Sequence, residues 1–467
     1  MFLNRPVFLL PVLVLGLLTG CQSASDTTPL FTKVTADASG LAFNNLMQPF
    51  ENDTLNANTY DPMYNGAGVG IGDFDRDGRP DLFFAANNVT CRLYLNKTAP
   101  GQADFSFADI TEKAGVTTTA WCTGVSVADV NQDGWPDIYV SVAGPDTSRA
   151  VRHNLLFINQ SKTPGTVPTF REMAHEYGLD DSGMNTQAAF FDYDHDGDLD
   201  CYVLNNALER TGRNTIRPRR LDGSGPSTDR LYENRDGKFV DVSRQAGVLA
   251  EGYGLGLTVA DIDQDGWLDV YCANDFLSND VVYINNRNQP GQPAFTDRSA
   301  TFFKHTSYNS MGVDIQDVNN DTRPDVMVVD MMPETNARQK MMLIKTNWDF
   351  FHLARQRGYQ DEYVRNTLQL NMGEKEGRGR GGREGEKGRG EQKNVSPSLS
   401  SLSPSPPSFS EIGQLAGVSK TDWSWAPLLA DFDNDGFKDL FVTNGYRRDI
   451  TNLDYVAYLN SQASSFG

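Results

Sequence analysis

One arrangement of apolar and polar positions recurs along the chain. A small-apolar run, such as Gly124-Val125-Ser126-Val127-Ala128 or Gly256-Leu257-Thr258-Val259-Ala260, leads into an acidic stretch. A short apolar run follows: Leu82-Phe83-Phe84-Ala85, Ile138-Tyr139-Val140, Val270-Tyr271-Cys272-Ala273 and Leu440-Phe441-Val442. Next comes an alternating run closed by Asn: Leu93 to Asn96, Leu156 to Asn159, Leu231 to Asn234, Val282 to Asn285 and Leu368 to Asn371. An aromatic-led run ends the unit: Phe107 to Val116, Phe170 to Leu179, Phe239 to Val248 and Phe409 to Val418. Short apolar runs bounded by turn residues predict strands, so each unit reads as four strands, A to D.

The units lie at 66–116, 124–180, 185–250, 254–304 and 310–418, with 424 onward incomplete. Four-stranded units at a period of roughly 60 residues indicate radial repetition. The fold class is therefore all-β, a β-propeller of four-stranded blades, six to seven in number, with a small helical insertion. Phe31 to Leu41 matches the D pattern without a unit of its own, which predicts that an N-terminal strand completes the final blade. Strand alternation puts every A–B loop on one face and the longer B–C and D–A loops on the other.

The A–B loops carry the chemistry. A nine-residue phrase runs from Asp73 to Asp81 and returns from Asp129, Asp192, Asp261, Asp317 and Asp431. Its oxygen-bearing positions 1, 3, 5 and 9 are Asp73, Asp75, Asp77 and Asp81; Asp129, Asn131, Asp133 and Asp137; and Asp192, Asp194, Asp196 and Asp200. The remaining copies give Asp261, Asp263, Asp265 and Asp269; Asp317, Asn319, Asp321 and Asp325; and Asp431, Asp433, Asp435 and Asp439. Position 6 is Gly except at Thr322. A hard cation such as Ca²⁺ takes about six to eight oxygens, and a tight loop aims alternate short side chains inward. The carbonyl of position 7 adds an oxygen, Gly at position 6 permits the bend, and the position-9 Asp is expected to close the site bidentately. One Asp-Gly stretch would read equally well as a solvated turn. Six copies at one spacing predict up to six calcium sites. His195, at position 4, is expected to face outward.

The formal charge of −20 suggests a basic partner until the metal phrase is considered, since roughly a third of the 61 acidic residues sit in it. Six divalent ions would offset more than half of that charge, and no basic stripe points to nucleic acid. At the N-terminus, Arg5 precedes an apolar run from Val7 to Leu18, too short to span a membrane comfortably. Residues 1–20 read as a signal peptide. Leu18-Thr19-Gly20-Cys21 resembles a bacterial lipoprotein signal, with Cys21 as the lipidated residue and 21–30 as a polar tether. The expected location is the cell envelope, anchored by lipid, with Gln22 favouring the outer membrane.

Four further cysteines lie in a compartment that permits disulfides. Cys91, at the start of a C strand, and Cys122, in a D–A loop, fall on the same face of adjacent units and form the candidate pair. Cys201 and Cys272 lie inside apolar runs and read as buried thiols. Between residues 331 and 363 the strand pattern stops. Met341, Ile344, Trp348 and Phe351 share a helical stripe ending at Gly358, which predicts a helical insertion in a B–C loop. Residues 372–408 are a Gly/Arg/Glu/Lys tract followed by a Ser/Pro tract, expected to be a disordered insertion in a C–D hairpin.

The phrase and its flanks resemble the FG-GAP/VCBS repeats of integrin α-subunit propellers and of many bacterial surface proteins. Cys91-Arg92-Leu93-Tyr94, Trp121-Cys122-Thr123-Gly124, Asn274-Asp275-Phe276, Asp422-Trp423-Ser424-Trp425 and Thr443-Asn444-Gly445-Tyr446 are similar to the bacterial ASPIC/UnbV-type lipoproteins, relatives of cartilage acidic protein. The likeness implies a calcium-binding propeller, usually seven-bladed, engaged in adhesion or protein association. It also implies a C-terminal ASPIC/UnbV domain, of which this sequence shows no counterpart. The functional expectation is a platform that binds a protein or glycan at the cell surface. The rival is an extracytoplasmic propeller hydrolase or lyase with its site on the long-loop face. For that reading only five His are available, none framed by a nucleophile or zinc motif, and Arg152 with His153 is the nearest catalytic candidate.

Overall fold

The computed structural model describes residues 29–47, 55–56, 60–102, 105–145, 152–206, 215–342, 348–374, 407–445, 449 and 452–463. The chain divides into Met1–Val34 and Thr35–Gly467. In the first unit, residues 29–34 take no regular structure, with Leu30, Phe31 and Val34 exposed. The signal peptide and Cys21 lie outside the described residues.

The second unit is a β-propeller. Blade 1 comprises Val69–Gly72, Asp81–Phe84, Arg92–Asn96 and Phe107–Asp109, hydrogen-bonded in sequence order. Blade 2 is Cys122–Ala128, Asp137–Val142, Leu155–Asn159 and Phe170–Glu172, and blade 3 is Asn185–Phe191, Asp200–Asn205, Arg230–Arg235 and Lys238–Asp241. Blade 4 is Gly254–Ala260, Asp269–Asn274, Val281–Asn285 and Phe295–Asp297; blade 5 is Gly312–Gln316, Asp325–Val329, Thr367–Glu374 and Pro407–Glu411. Blade 6 holds only Ser424–Ala430 and Asp439–Asn444 among the described residues. All these pairings are antiparallel, as hairpin-linked strands require.

The A strands approach backbone to backbone about the axis, which explains the small residue that opens most of these runs. A Cβ on Gly124 would lie 2.3 Å from the Thr186 carbonyl oxygen, and one on Gly312 would lie 2.4 Å from that of Trp425. Residues such as Val125, Gln187, Leu257, Val313 and Pro427 line an axial cavity of about 720 Å³. The apolar core is divided into layers between successive blades. Phe83, Leu93 and Ile138 bury together between blades 1 and 2, and Tyr202, Val270 and Tyr283 between blades 3 and 4.

Two expectations change, and the bounds of a third move. The D runs are strands for only three or four residues and then turn helical, as at Thr111–Ala114, Ala174–Tyr177 and Ser243–Ala246. An acidic side chain stops the strand: Asp109 Oδ1 accepts from the Thr111 N–H at 2.9 Å and from its hydroxyl at 2.6 Å. Phe31 to Leu41 is not a strand, so the N-terminal closure of blade 6 is not observed. Ala36–Ser39 is a helical turn, capped by Thr35, whose Oγ1 accepts the Ala38 N–H, and by Gly40 at φ 77. The aromatic stripe is helical on both sides of residues 343–347, which lie outside the described ones. It falls on Asn336–Met342 and Trp348–Gln356, with Trp348 73% exposed, while Ile344 lies outside the described residues. Thr367–Glu374 pairs with Pro407–Glu411, so residues 372–374 and 407–408, expected to be disordered, belong to strands C and D of one hairpin. Residues 375–406 between them lie outside the described ones.

Candidate metal centres and the loop face

The six acidic phrases fold alike. In each, the position-1 carboxylate receives two backbone N–H groups, from position 5 on Oδ1 and from position 6 on Oδ2. For Asp73 these come from Asp77 and Gly78, both at 2.9 Å, and for Asp431 from Asp435 and Gly436 at 3.0 and 2.9 Å. Thr322 fits the same place at 2.7 Å from Asp317, with φ 69 where the other copies use Gly.

The position-9 Asp is tied on both oxygens. Its Oδ2 accepts the N–H of position 2, as from Phe74 to Asp81 at 2.9 Å and from Ile262 to Asp269 at 2.9 Å. Its Oδ1 accepts the N–H of the Asn that closes the C strand. Asn96 reaches Asp81, Asn159 Asp137, Asn234 Asp200, Asn285 Asp269 and Asn371 Asp325, each at 2.8 Å. This residue is thus a strut between loop and sheet, and each oxygen keeps a second lone pair.

Four loops bring three carboxylates together with oxygens within 4.8 Å of one another. They are Asp73, Asp75 and Asp81; Asp192, Asp194 and Asp200; Asp261, Asp263 and Asp265; and Asp431, Asp433 and Asp439. In the other two loops position 3 is an amide. Asn131 Nδ2 donates to Asp133 at 3.2 Å and Asn319 Nδ2 to Asp321 at 3.1 Å. The donor set fits a hard cation on a specific observation. Oδ1 of Asp75 and Oδ1 of Asp263 are buried without a hydrogen-bond partner in the protein, and a buried carboxylate oxygen so placed is costly unless a cation meets it. Burial raises these carboxyls: Asp81 and Asp263 ionise near 6, Asp137 and Asp200 near 7, and Asp269 near 8.

Position 4 sits in the left-handed region in all six copies, from φ 54 at Arg76 to φ 62 at His195. That backbone turn sends the side chain sideways to the next blade's loop. Arg76 lies 5.2 Å from the Trp135 ring centre, and His195 stacks on Trp267 at 3.8 Å. Gln132 donates to the Gly197 carbonyl at 2.8 Å, Gln264 to that of Thr322 at 2.6 Å and Asn320 to that of Gly436 at 2.8 Å. His195 is exposed, as expected of position 4, and is at the same time one link in a chain of loop-to-loop contacts. The strand-closing Asn residues add links, with Asn159 donating to the Phe74 carbonyl at 3.1 Å and Asn285 to that of Tyr193 at 2.8 Å.

The opposite face has a repeated brace that the sequence pattern does not announce. The residue immediately before a C strand accepts the N–H of the last or following residue of strand B. Asn154 receives Val142 at 2.8 Å, Asp229 receives Asn205 at 2.8 Å, Asp280 receives Asn274 at 2.9 Å and Asn366 receives Asp330 at 2.7 Å. In blade 1 Cys91 takes this position. The thiols of Cys91 and Cys122 stand 3.6 Å apart, both buried, so the expected pair is brought together as free thiols. Cys201 and Cys272 are buried in their strands as read. The catalytic candidate Arg152 is 2% exposed, and its guanidinium donates to the carbonyls of Gly183 and Ser182, each at 2.9 Å. It serves as a loop clamp.

The sequence profile described as FG-GAP-like repeat matches residues 73–140, 221–272 and 261–328. Cartilage acidic protein 1 of Xenopus tropicalis is 29% identical over 44% of this chain and 28% of its own length. The Mus musculus protein of that name is 30% identical over 32% of this chain and 22% of its own length. The chain thus spans about a quarter of the length of these relatives. Among solved structures, an Agrocybe aegerita lectin described as recognising non-reducing terminal N-acetylglucosamine aligns over 80% of this chain and 73% of its own, with 14% identity and a TM-score of 0.39. On a bladed all-β framework, the chain carries FG-GAP-like repeats and is similar over part of its length to cartilage acidic protein 1.

Proposed function

We propose that this protein is a calcium-stabilised binding platform of the cell envelope, with its loop-rich face presented to a protein or glycan partner. The observation that carries the reading is the asymmetry of the two faces. One is a series of near-identical carboxylate loops, bound to one another blade by blade. The other gathers the long irregular segments, including 215–229, 275–280 and the helical insertion.

Calcium would be held by the carboxylates of positions 1, 3 and 5, with the position-9 Asp and the position-7 carbonyl as further oxygens. When bound, the ion neutralises acidic groups that burial otherwise holds partly protonated. The chain's own residues do the rest. The backbone N–H groups of positions 5 and 6 fix the first carboxylate, and the position-4 side chain transmits loop geometry to the next blade. A rigid array of blades lowers the ordering cost of any partner bound across it. The binding reading is favoured over an enzymatic one because, of the candidate pair Arg152 and His153, the Arg152 guanidinium donates to backbone carbonyls, leaving a lone half-buried His153. Anchoring through Cys21 would set the platform on the outer membrane. The test is retention of envelope proteins and glycans on immobilised protein, with calcium and with chelator. A partner retained only with calcium supports the platform, and equal retention in both conditions overturns it.

A further inference from the structure

We propose that three of the acidic loops carry built-in counter-cations, Arg79, Arg287 and Arg323. Each stands on a carboxylate oxygen that calcium would use, so the loops divide into early-filling and late-filling sites. This rests on the calcium reading above and assigns a regulation of those same sites.

The two oxygens of the position-5 Asp differ. In all six copies Oδ1 accepts the N–H of position 7, as for Asp133 from Trp135 at 3.0 Å and Asp435 from Phe437 at 2.8 Å. That leaves Oδ2 as the freer oxygen for an ion. A guanidinium reaches this atom in three loops. Arg79 donates from Nη2 to Oδ2 of Asp77, and Arg323 from Nη2 to Oδ2 of Asp321 at 2.6 Å. In the Asp261 loop the cation comes from the C–D turn instead, with Arg287 Nε 3.1 Å from Oδ2 of Asp265. Among the described residues no Lys or Arg pairs with Asp133, Asp196 or Asp435.

The placement is built rather than incidental. Arg79 Nε also donates to the Asn96 carbonyl, and Arg323 Nε to that of Asn371, both at 3.0 Å. These Asn residues close strand C of their blades, so each guanidinium straps its loop to the sheet. In blade 1 Lys97 adds a second cation, 3.4 Å from Oδ2 of Asp75. The Asp77 and Asp265 side chains are only 12% and 11% exposed, so solvent screens these pairs less than it would an open surface pair.

Calcium affinity in oxygen loops follows ligand charge and site rigidity. An ion entering the three guarded loops must displace a guanidinium from Oδ2 or share the oxygen with it, against like-charge repulsion. The loops opening at Asp192 and Asp431 keep four Asp at their oxygen-bearing positions with no such cation, and the former adds Asp198 at position 7. They fill first. The loops opening at Asp73, Asp261 and Asp317 fill last, and until then their arginines hold them in shape. The Asp129 loop, with Asn131 at position 3 and no guanidinium, falls between.

The test is a calcium titration of the full chain from the chelated state, read by calorimetry and by the melting midpoint. Wild type should bind its ions in more than one class, the weakest at least about tenfold weaker than the tightest. Arg323→Gln should bind the same number of ions with one late site tightened about tenfold or more. It should also melt below wild type in chelator, because the strap is lost. Arg323→Lys keeps the charge without the fork that reaches Oδ2 and the carbonyl together, and should fall between. Asp196→Asn should weaken or remove one ion of the early class. If Arg323→Gln does not fold, Arg79→Gln makes the same comparison in blade 1. Any of three results overturns the proposal and leaves the calcium reading standing: a single class of equal ions, an early class untouched by Asp196→Asn, or Arg323→Gln with late sites no tighter and a chelated midpoint no lower than wild type. No bound ion in wild type, with a midpoint that chelator does not move, overturns both.

Discussion

The Tyr202 hydroxyl, inside strand B of blade 3, donates to Oδ2 of Asp229 at 2.8 Å, while Oδ1 of the same carboxylate takes the Asn205 N–H. The pair recurs as Tyr271 donating to Asp280 at 2.7 Å and, with an amide in place of the acid and the direction reversed, as Asn154 Nδ2 donating to the Tyr139 hydroxyl at 2.7 Å. Blades 3 and 4 therefore bury a carboxyl where blade 2 buries its neutral isostere.

That comparison fixes a pH dependence. Burial pushes Asp229 up to about 6 and Asp280 up to about 7, above the ordinary 3.8. The folded state therefore keeps these protons where the unfolded chain has lost them. Their stabilising contribution is complete below about pH 4 and is lost as pH rises through about 6 and 7. Asp229→Asn and Asp280→Asn, which copy the amide that Asn154 supplies in blade 2, should each raise the melting midpoint by a few degrees at pH 8. They should also flatten the profile between about pH 4 and 7. Thermal melts in chelator, where loop calcium does not intervene, check this. A variant less stable than wild type at pH 8 contradicts it.

The brace also marks what was legible beforehand. The blades were readable because strand period, turn chemistry and the spacing of Asp73, Asp75, Asp77 and Asp81 all repeat in sequence. The brace was not, because Asn154, Asp229, Asp280 and Asn366 lie in loops of unequal length and their partners are backbone groups. A Tyr at the third residue of strand B (Tyr139, Tyr202, Tyr271) was the available signal. The links from His195 to Trp267 and from Arg76 to Trp135 were hidden too. They need the left-handed backbone at position 4 and the lateral spacing of blades, neither of which a one-dimensional pattern carries. The N-terminal strand was overread from Phe31 to Leu41, where the Thr35 cap and Gly40 dictate a helical turn.

Metal removal should act loop by loop. Chelation should lower the melting midpoint, and restored calcium should raise it with the logarithm of its concentration. Asp263→Ala removes the partnerless buried Oδ1 of one loop. It should reduce the bound calcium by one ion per chain, measured by equilibrium dialysis, and make the chelated protein slightly more stable because one buried carboxylate is gone. An unchanged stoichiometry would show that this loop holds no ion.

Oxidation should staple two blades. With their sulfurs 3.6 Å apart and buried, Cys91 and Cys122 need little movement to bond. Closing the 31-residue interval between them would stabilise the fold by about 3–4 kcal/mol through the lost entropy of the unfolded chain. Oxidised protein should melt at a higher temperature than reduced protein, and Cys122→Ser should abolish the difference. A thiol count that stays constant after oxidation would refute the pairing.

Interblade packing should make equivalent residues unequal. Val127 packs in the layer between blades 1 and 2, where an added Cβ on Gly72 would come within 2.9 Å of its methyl group. Ile71 holds the corresponding position in blade 1 and is 62% exposed. On the sixth blade Leu428 and Phe441 are exposed as well, at 50% and 47%. Val127→Ala should therefore destabilise by about 1–2 kcal/mol, whereas Ile71→Ala should stay within about 0.5 kcal/mol of wild type. Denaturant unfolding of the two variants tests this directly. A loss at Ile71 as large as that at Val127 would mean that the open face of blade 1 is covered in solution, by a further strand or by a second molecule.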